Sequence, residues 1–344
     1  MRAAVIREHG GVDVLRVEEV PEPKPAADEV LVKVLCAGLN HLDIWVRKGR
    51  PGAKFQMPHV MGSDAVGVVE AVGAEVTHVK AGDEVVIYPG LSCGHCGACA
   101  RGERSLCASF GIVGFQRPGT FAEKVAVPAY CVYPRPVHLS PEEAGGFVLA
   151  YLTAWRMLMT RAEVRPGDCV LIHGIGGGVA ICALQLAKQA GAEVIVTSSS
   201  DEKLSRAREL GADHTINYRK EDVAGHAREI TGSSGVDVVI DAVGAATWPI
   251  DLSVVHKGGK VVLCGITTGA IAETNLQAVY WNQLTLMGST LGSMDDLRRM
   301  VKAVEVGNLR PVVDEVFPLK KVQEATQKME DARQLGKIVL KVSD

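Results

Sequence analysis

No run of five basic residues occurs anywhere in the 344-residue chain, and 37 Lys and Arg against 40 Asp and Glu leave a formal net charge of −3. Binding to nucleic acid or to an anionic membrane through charge needs a basic patch, so neither partner is expected. No secretory leader is expected either, because Met1-Arg2-Ala3-Ala4-Val5-Ile6-Arg7-Glu8 meets charges before any long apolar stretch. An unbroken apolar run of membrane-spanning quality is also absent. Val170 to Ala187 carries no Asp, Glu, Lys or Arg, but Gly174, Gly176, Gly177 and Gly178 fall in its middle, which reads as strand, turn and helix. Nine cysteines, an odd and unevenly spread set, do not make a secreted disulfide framework. There is no internal repeat and no low-complexity segment. What remains is ordinary globular composition, 47% hydrophobic and 22% charged, with a length suited to two domains. The expectation is a soluble cytoplasmic protein.

Two styles of sequence divide the chain. Up to about residue 140, short β-runs such as Val30-Leu31-Val32-Lys33-Val34-Leu35 are cut by Gly and Pro turns, which predicts an all-β barrel or sandwich. From about residue 165, apolar strands alternate with helices. Strands are predicted at 168–173, 193–197, 213–217, 236–241, 260–264 and 284–288, and helices at 177–189, 201–210 and 221–231. Strands that are apolar throughout belong in a parallel sheet covered on both faces, so this half reads as a doubly wound α/β domain. After about residue 290 come helix, strand, helix and a last strand at 337–342, expected to return to the first domain.

Val170-Leu171-Ile172-His173-Gly174-Ile175-Gly176-Gly177-Gly178-Val179-Ala180 sits at a strand-to-helix turn, where helix amides face a pyrophosphate. Gly174, Gly177 and Ala180 take the three small-residue positions of a dinucleotide site. An NAD site wants a carboxylate at the end of the second strand. This chain has Thr197-Ser198-Ser199-Ser200 there, followed by Asp201-Glu202-Lys203. Ser198 and Lys203 suit a 2′-phosphate, so NADP(H) is expected over NAD(H). The competing reading makes Lys203 a surface helix residue and Asp201 an N-cap.

Five cysteines, Cys36, Cys131, Cys169, Cys182 and Cys264, lie scattered in mostly apolar contexts and read as small buried hydrophobes. The other four, Cys93, Cys96, Cys99 and Cys107, follow C-x2-C-x2-C-x7-C. Four thiolates close a tetrahedral shell with no open position, the pattern of one structural zinc per chain. A ferredoxin-type cluster would place its fourth cysteine three residues on, before a proline, and here Ala108 follows Cys107. His95 is expected to face solvent.

Barrel, four-cysteine lobe and dinucleotide domain, in that order, resemble the medium-chain dehydrogenase/reductase superfamily, which includes zinc alcohol dehydrogenases and quinone oxidoreductases. Residues 58–69, Pro-His-Val-Met-Gly-Ser-Asp-Ala-Val-Gly-Val-Val, look like its first-domain signature. Residues 174–188 look like its cofactor turn and helix, and Gly336-Lys337-Ile338-Val339-Leu340 like its closing strand. The resemblance implies an α/β architecture: a GroES-like β-barrel catalytic domain over 1–149 with a zinc lobe at about 93–107, a Rossmann domain over 150–290, and a segment over 291–344 that returns to the first. It implies an active site in the cleft between them, with Thr153 on the nicotinamide carboxamide, His41 on the pyrophosphate and Tyr218 beside the adenosine. A homodimer or homotetramer is the expected assembly.

The sequence departs from the catalytic zinc branch where that branch holds its metal. Asn40 stands in place of Cys, Ser63-Asp64 in place of His-Glu, and the third strong ligand falls near Leu149. Asn40-His41-Leu42-Asp43 looks instead like the N-x-x-D of the quinone oxidoreductases, a branch that usually lacks the cysteine lobe. Without a Lewis acid, oxidation of a plain alcohol is hard, whereas a quinone or conjugated carbonyl already delocalises incoming charge. The expected enzyme is therefore an NAD(P)H-dependent quinone or enone oxidoreductase acting on a small molecule. Asn40 and Asp43 would line the cleft and Trp45 would wall it; Asp43 reads equally as a buried carboxylate bracing its loop. The alternatives are a zinc alcohol dehydrogenase with a metal site rebuilt from Asp43, Asp64 and either His41 or Cys36, and a non-catalytic NADPH-binding protein.

Overall fold

The computed structural model describes residues 1–49 and 55–343. It divides into two compact units, Met1–Ala150 with Ser293–Asp344, and Tyr151–Gly292.

The first unit is built on β1 (Glu29–Gly38), long enough to take several partners. Directly after it, α1 (His41–Lys48) forms where the sequence pattern shows strands and turns. Then follow β2 (Val66–Val72), β3 (Glu84–Ile87), β4 (Lys124–Pro128) and β5 (Val132–Pro134). β1 pairs antiparallel with both β2 and β4, and Val30, Val32, Val34, Val66, Val125 and Val127 bury their branched side chains in its core.

The second unit begins in α2 (Val148–Trp155) and continues with β6 (Cys169–Ile172), α3 (Gly178–Gln189), β7 (Glu193–Ser198), α4 (Asp201–Glu209), β8 (His214–Asn217), β9 (Val236–Asp241), α5 (Trp248–Val254), β10 (Val255–Leu263), α6 (Leu276–Trp281) and β11 (Thr285–Gly288). The six strands form one wholly parallel sheet in the order β8-β7-β6-β9-β10-β11. Strand order reverses between β6 and β9, so the crevice at the carboxyl end of β6 is where such a sheet takes its ligand. The central strands are buried on both faces, as their unbroken apolar runs require. Most predicted boundaries in this unit fall within one residue of the structure, and two move further. The helix expected over 221–231 covers only Val223–Ile230, because Asp222 caps its start. β10 starts at Val255, before Gly258 and Gly259, and reaches β9 across a register shift.

The chain then re-enters the first unit with β12 (Val313–Pro318) and β13 (Lys337–Lys341). β13 pairs antiparallel with β1, completing a seven-stranded sheet in the order β5-β3-β2-β1-β13-β12, with β4 also on β1. This return carries Lys337 to the foot of β1, beside Asn40.

Candidate functional site

Three groups of residues carry chemistry. The first surrounds Asn40, at the junction of β1 and α1. Asn40 precedes the helix with extended backbone, and Asp43 at the third helical position accepts from the Asn40 backbone N–H at 2.7 Å. That is how Asp43 braces the start of α1. Its other oxygen has no hydrogen-bond partner among the described residues, and burial pushes its carboxyl up to about 7.

Lys337 of β13 was not singled out from the sequence, yet it lies at the centre of this group. Its ammonium donates to Asn40 Oδ1 at 2.6 Å and to the Leu39 carbonyl at 2.7 Å, and stands 3.5 Å from Asp64 Oδ2. Asp64 Oδ1 accepts from the Leu149 backbone N–H at 3.2 Å. The fold thus brings Asn40, Asp64 and Leu149 to one place and sets a lysine among them. Lys337 is 3% exposed, Asp64 0% and Asn40 7%, so charge and counter-charge are both out of water. Burial raises Asp64 above the usual carboxylate range, with Lys337 opposing. His41, at the first position of α1, is pushed down by burial and by Lys337. Trp45 is half-buried on the same helix. The Ser63 hydroxyl is fully buried with no partner among the described residues.

The second group is the cysteine lobe. Cys96 precedes the four-residue helix Gly97–Ala100, and the chain folds back so that Cys107 reaches Cys93. The sulfurs of Cys93, Cys96, Cys99 and Cys107 all lie within 4.8 Å of one another. The Cys107–Cys93, Cys96–Cys99 and Cys93–Cys99 separations are 3.5, 3.6 and 4.0 Å. Metal–sulfur bonds of about 2.3 Å in a tetrahedron put the sulfurs roughly 3.8 Å apart, so these residues fit a zinc ion. Backbone N–H groups aimed at the sulfurs favour thiolates: Cys96 is drawn down to about 6, first by the Cys99 amide. By contrast, burial lifts Cys36, Cys131, Cys169 and Cys264 to about 12. His95 is exposed, as expected. Among the described residues, these four cysteines are the one group of His, Cys, Asp and Glu side chains gathered closely enough for a metal.

The third group is the turn between β6 and α3. Gly174 has φ +68°, a conformation that costs other residues energy. Gly177 needs no such freedom. A Cβ there would come no nearer than 3.5 Å to any described atom outside its neighbours, the Gly174 carbonyl oxygen, so its lack of a side chain leaves room for a ligand. As the N-cap of α3 it has no side chain to satisfy the first-turn amides, which therefore point outward as an anion cradle. Ala180, in the first turn, is buried. These residues fit a dinucleotide pyrophosphate.

At the end of β7, Ser198 is 6% exposed and its Oγ accepts from the Ser200 N–H at 3.2 Å, leaving its own hydroxyl proton to donate. Ser200 is the N-cap of α4, accepting from the Lys203 N–H at 3.3 Å; Asp201 is the first helical residue, not the cap. The Asp201 carboxylate is engaged by Asn217 Nδ2 and Lys220. Tyr218 follows β8, half-exposed, and its backbone N–H donates to the Ser198 carbonyl. Ser198, Lys203 and Tyr218 are thus gathered around the ends of β7 and β8, while Thr153 is buried in α2.

Two family models match the chain: the alcohol dehydrogenase GroES-like domain over residues 26–137 and the zinc-binding dehydrogenase over residues 178–305. Among curated relatives, a zinc-type alcohol dehydrogenase-like protein of Schizosaccharomyces pombe is 37% identical, covering 99% of each chain. A crotonyl-CoA carboxylase/reductase of Cereibacter sphaeroides is 34% identical over 95% of this chain and 83% of its own. A solved structure described as an NAD-dependent alcohol dehydrogenase superposes with a TM-score of 0.96 at 44% identity, covering all of both chains.

Proposed function

The chain belongs to the zinc-binding dehydrogenases of the medium-chain dehydrogenase/reductase superfamily and is an oxidoreductase; we propose that it reduces a quinone or conjugated carbonyl compound with NADPH, and that its zinc is structural. The observation that carries this reading is Lys337. A buried ammonium bonded to Asn40 Oδ1 and facing Asp64 supplies the positive charge at the place where a catalytic metal would need ligands. Asn40 and Asp64 are both committed to it, and Asp43 is committed to the Asn40 backbone. Among the described residues no thiolate or imidazole is gathered with them into a ligand set, so an ion would find only weak carboxylate coordination. This disfavours the rebuilt zinc site.

The cofactor, when bound, supplies the hydride. The chain's own residues do the rest. The α3 amides, with Gly174, Gly177 and His41, would hold the pyrophosphate; Thr153 would meet the nicotinamide carboxamide. Trp45 would give the acceptor an apolar wall, and Asn40, whose Oδ1 accepts from Lys337 and whose Nδ2 donates to the Gly38 carbonyl at 3.2 Å, would offer its second Nδ2 proton to the acceptor oxygen, which suits the conjugated acyl group named in the crotonyl-CoA relative. Purified protein is expected to contain one zinc per chain and to keep its activity on quinones or enones after a mild chelator removes loosely held ions. Asn40→Ala lowers turnover about 10–100-fold through lost orientation. Two zincs per chain with chelator-sensitive alcohol oxidation would overturn the reading.

For the cofactor, the missing carboxylate at Ser198 and the engagement of Asp201 by Lys220 favour a 2′-phosphate, although one structural relative is described as NAD-dependent. NADPH is expected to bind more tightly than NADH. Ser198→Asp reverses the order, by repelling the 2′-phosphate and accepting from ribose hydroxyls. Equal wild-type dissociation constants would remove the argument.

The expected self-association has a candidate surface in β11, an edge of the parallel sheet. α6, just before it in sequence, leaves Leu276, Tyr280 and Trp281 each at least 66% exposed. Sedimentation velocity should report a dimer or tetramer; a monomer at micromolar concentration would exclude it.

A further inference from the structure

α1 is held to the C-terminal return at both of its ends, and the proposed reaction uses only one of the two holds. At its start, Asn40 Oδ1 accepts from Lys337 of β13. At its last turn, Arg47 Nη2 donates to Glu330 Oε1, on the final residue of α7 (Val322–Glu330). Lys48, the next residue, reaches the same oxygen at 3.2 Å. Asn40 and Arg47 are seven residues apart, and so are Glu330 and Lys337, so the two segments are joined antiparallel, first residue to last.

The second hold is a strange one if its purpose is stability. Arg47 is 0% exposed, and its Nε and Nη1 have no hydrogen-bond partner among the described residues. A guanidinium does not shed its proton in a protein, so Arg47 is a buried charge hydrogen-bonded to one carboxylate, with Asp13 attracting it more weakly. Apolar side chains of similar volume in place of a buried ion pair are often neutral or stabilising. What they lack is direction. Ile44 and Val46 are buried on the same helix and set how deep it lies, because apolar burial favours no particular angle. An ion pair at the far end sets where the helix points. The helix end does not need the pair for its backbone hydrogen bonds. The Arg47 carbonyl accepts from the Gly10 N–H at 3.1 Å, and the Val46 carbonyl from the Gly49 N–H at 3.2 Å.

Direction matters because of what the other side of α1 carries. Asp43 and Arg47, four apart, share the buried face; His41 and Trp45, also four apart, share one that is half-buried. A swing of about 10° pivoting on Asn40 carries Trp45, roughly 7 Å along the axis, through roughly 1 Å. A misplacement of ~1 Å is enough to slow a reaction by up to about 100-fold.

We propose that Arg47 and Glu330 are positioning residues for the acceptor: joined, they aim α1 so that Trp45 and Asn40 meet the acceptor in one fixed geometry. The proposal rests on the reading of Asn40 and Trp45 as the acceptor's side of the site.

The test pairs kinetics with a spectrum that needs no turnover. Glu330→Gln leaves the Arg47 charge buried without its counter-charge. Arg47→Met removes that charge and leaves Glu330, 18% exposed, to water and Lys48, so it keeps the test decisive if the first variant fails to fold. With NADPH and 1,4-naphthoquinone or 2-cyclohexenone, each variant should lower kcat/KM roughly tenfold. The double variant should lose no more than the worse single one, because both break the same link. The chain has four tryptophans, so protein labelled with 5-fluorotryptophan gives four fluorine signals. The Trp45 signal, identified by its loss in Trp45→Phe, should shift in both variants while those of Trp155, Trp248 and Trp281 stay. An unmoved Trp45 signal, or unchanged kinetics in an active enzyme, means that the pair only stabilises and overturns the proposal, whatever the melting temperature does. Losses that add in the double variant overturn it too. A wild type inactive with both acceptors removes the proposed reaction, and the fluorine spectrum then decides by itself whether the pair places α1.

Discussion

Cys96→Ser is expected to empty the proposed zinc lobe: elemental analysis should fall from one zinc per chain towards none, and trypsin should cut at the exposed Arg101 at least tenfold faster than in the wild type. A serine hydroxyl is not among the ligands that hold zinc, so the remaining three thiolates lose their closed shell. The effect is large because this stretch has little else to fold around. Between Cys93 and Cys107 its regular structure is the four-residue helix Gly97–Ala100 and one short 3-10 turn. Its other anchors are the Arg104 guanidinium 4.2 Å over the Tyr130 ring, and the Ser92 backbone N–H and hydroxyl bonded to Tyr130 and Arg104. Metal binding at four-ligand sites is worth about 10–16 kcal/mol in small zinc peptides, and a zinc held by these four cysteines would supply that energy to the folding of the lobe. Cys36→Ser is the control, since that thiol is held protonated by burial and lies in β1, away from the lobe. Full zinc content in Cys96→Ser, or none in the wild type, would refute the assignment.

The features legible in the sequence were those with a local physical signature. The four cysteines sit within 15 residues, so spacing alone suggested the shell. Gly174 occupies a turn that demands positive φ, and the strands around it are apolar throughout because both faces of their sheet are covered. Lys337 had no such signature. It is one of the two lysines that bound an apolar strand, 297 residues from the Asn40 side chain it holds, and only the pairing of β13 with β1 makes it meaningful. Arg47 and Glu330 were hidden likewise, on two helices 283 residues apart. α1 was missed for a different reason. Asn40 and Asp43, three apart, are also a helix-start pattern, whereas the sequence reading takes Asp43 as lining the cleft or bracing a loop and places no helix there. The structure shows Asp43 serving the helix start, which no spacing argument separates from a role towards substrate.

Lys337→Met should abolish most turnover and cost the folded protein about 3–5 kcal/mol, the usual effect of removing one partner from a buried ion pair. Methionine keeps the length and apolar stem of the side chain, so the loss is electrostatic: Asn40 Oδ1 and the Leu39 carbonyl lose their donor, and Asp64 loses its counter-charge at 3.5 Å. The sign of the pH dependence distinguishes this from a packing defect. Burial already raises Asp43 and Asp64 above their unfolded values, Asp43 to about 7. A carboxyl raised in the folded state binds its proton more tightly there than in the unfolded chain. Its contribution is therefore most favourable in acid and is lost as pH rises from the unfolded value near 4 to the folded one. Lys337 opposes both shifts, so removing it pushes both carboxyls higher and widens that window upward. The melting temperature of Lys337→Met should accordingly fall further below the wild type at pH 8 than at pH 5.5, because a carboxyl that has taken up its proton no longer needs the ammonium. A melting deficit of equal size at both pH values would mean that Lys337 contributes only its stem, and the assignment of this ammonium to the place of a catalytic metal would be withdrawn.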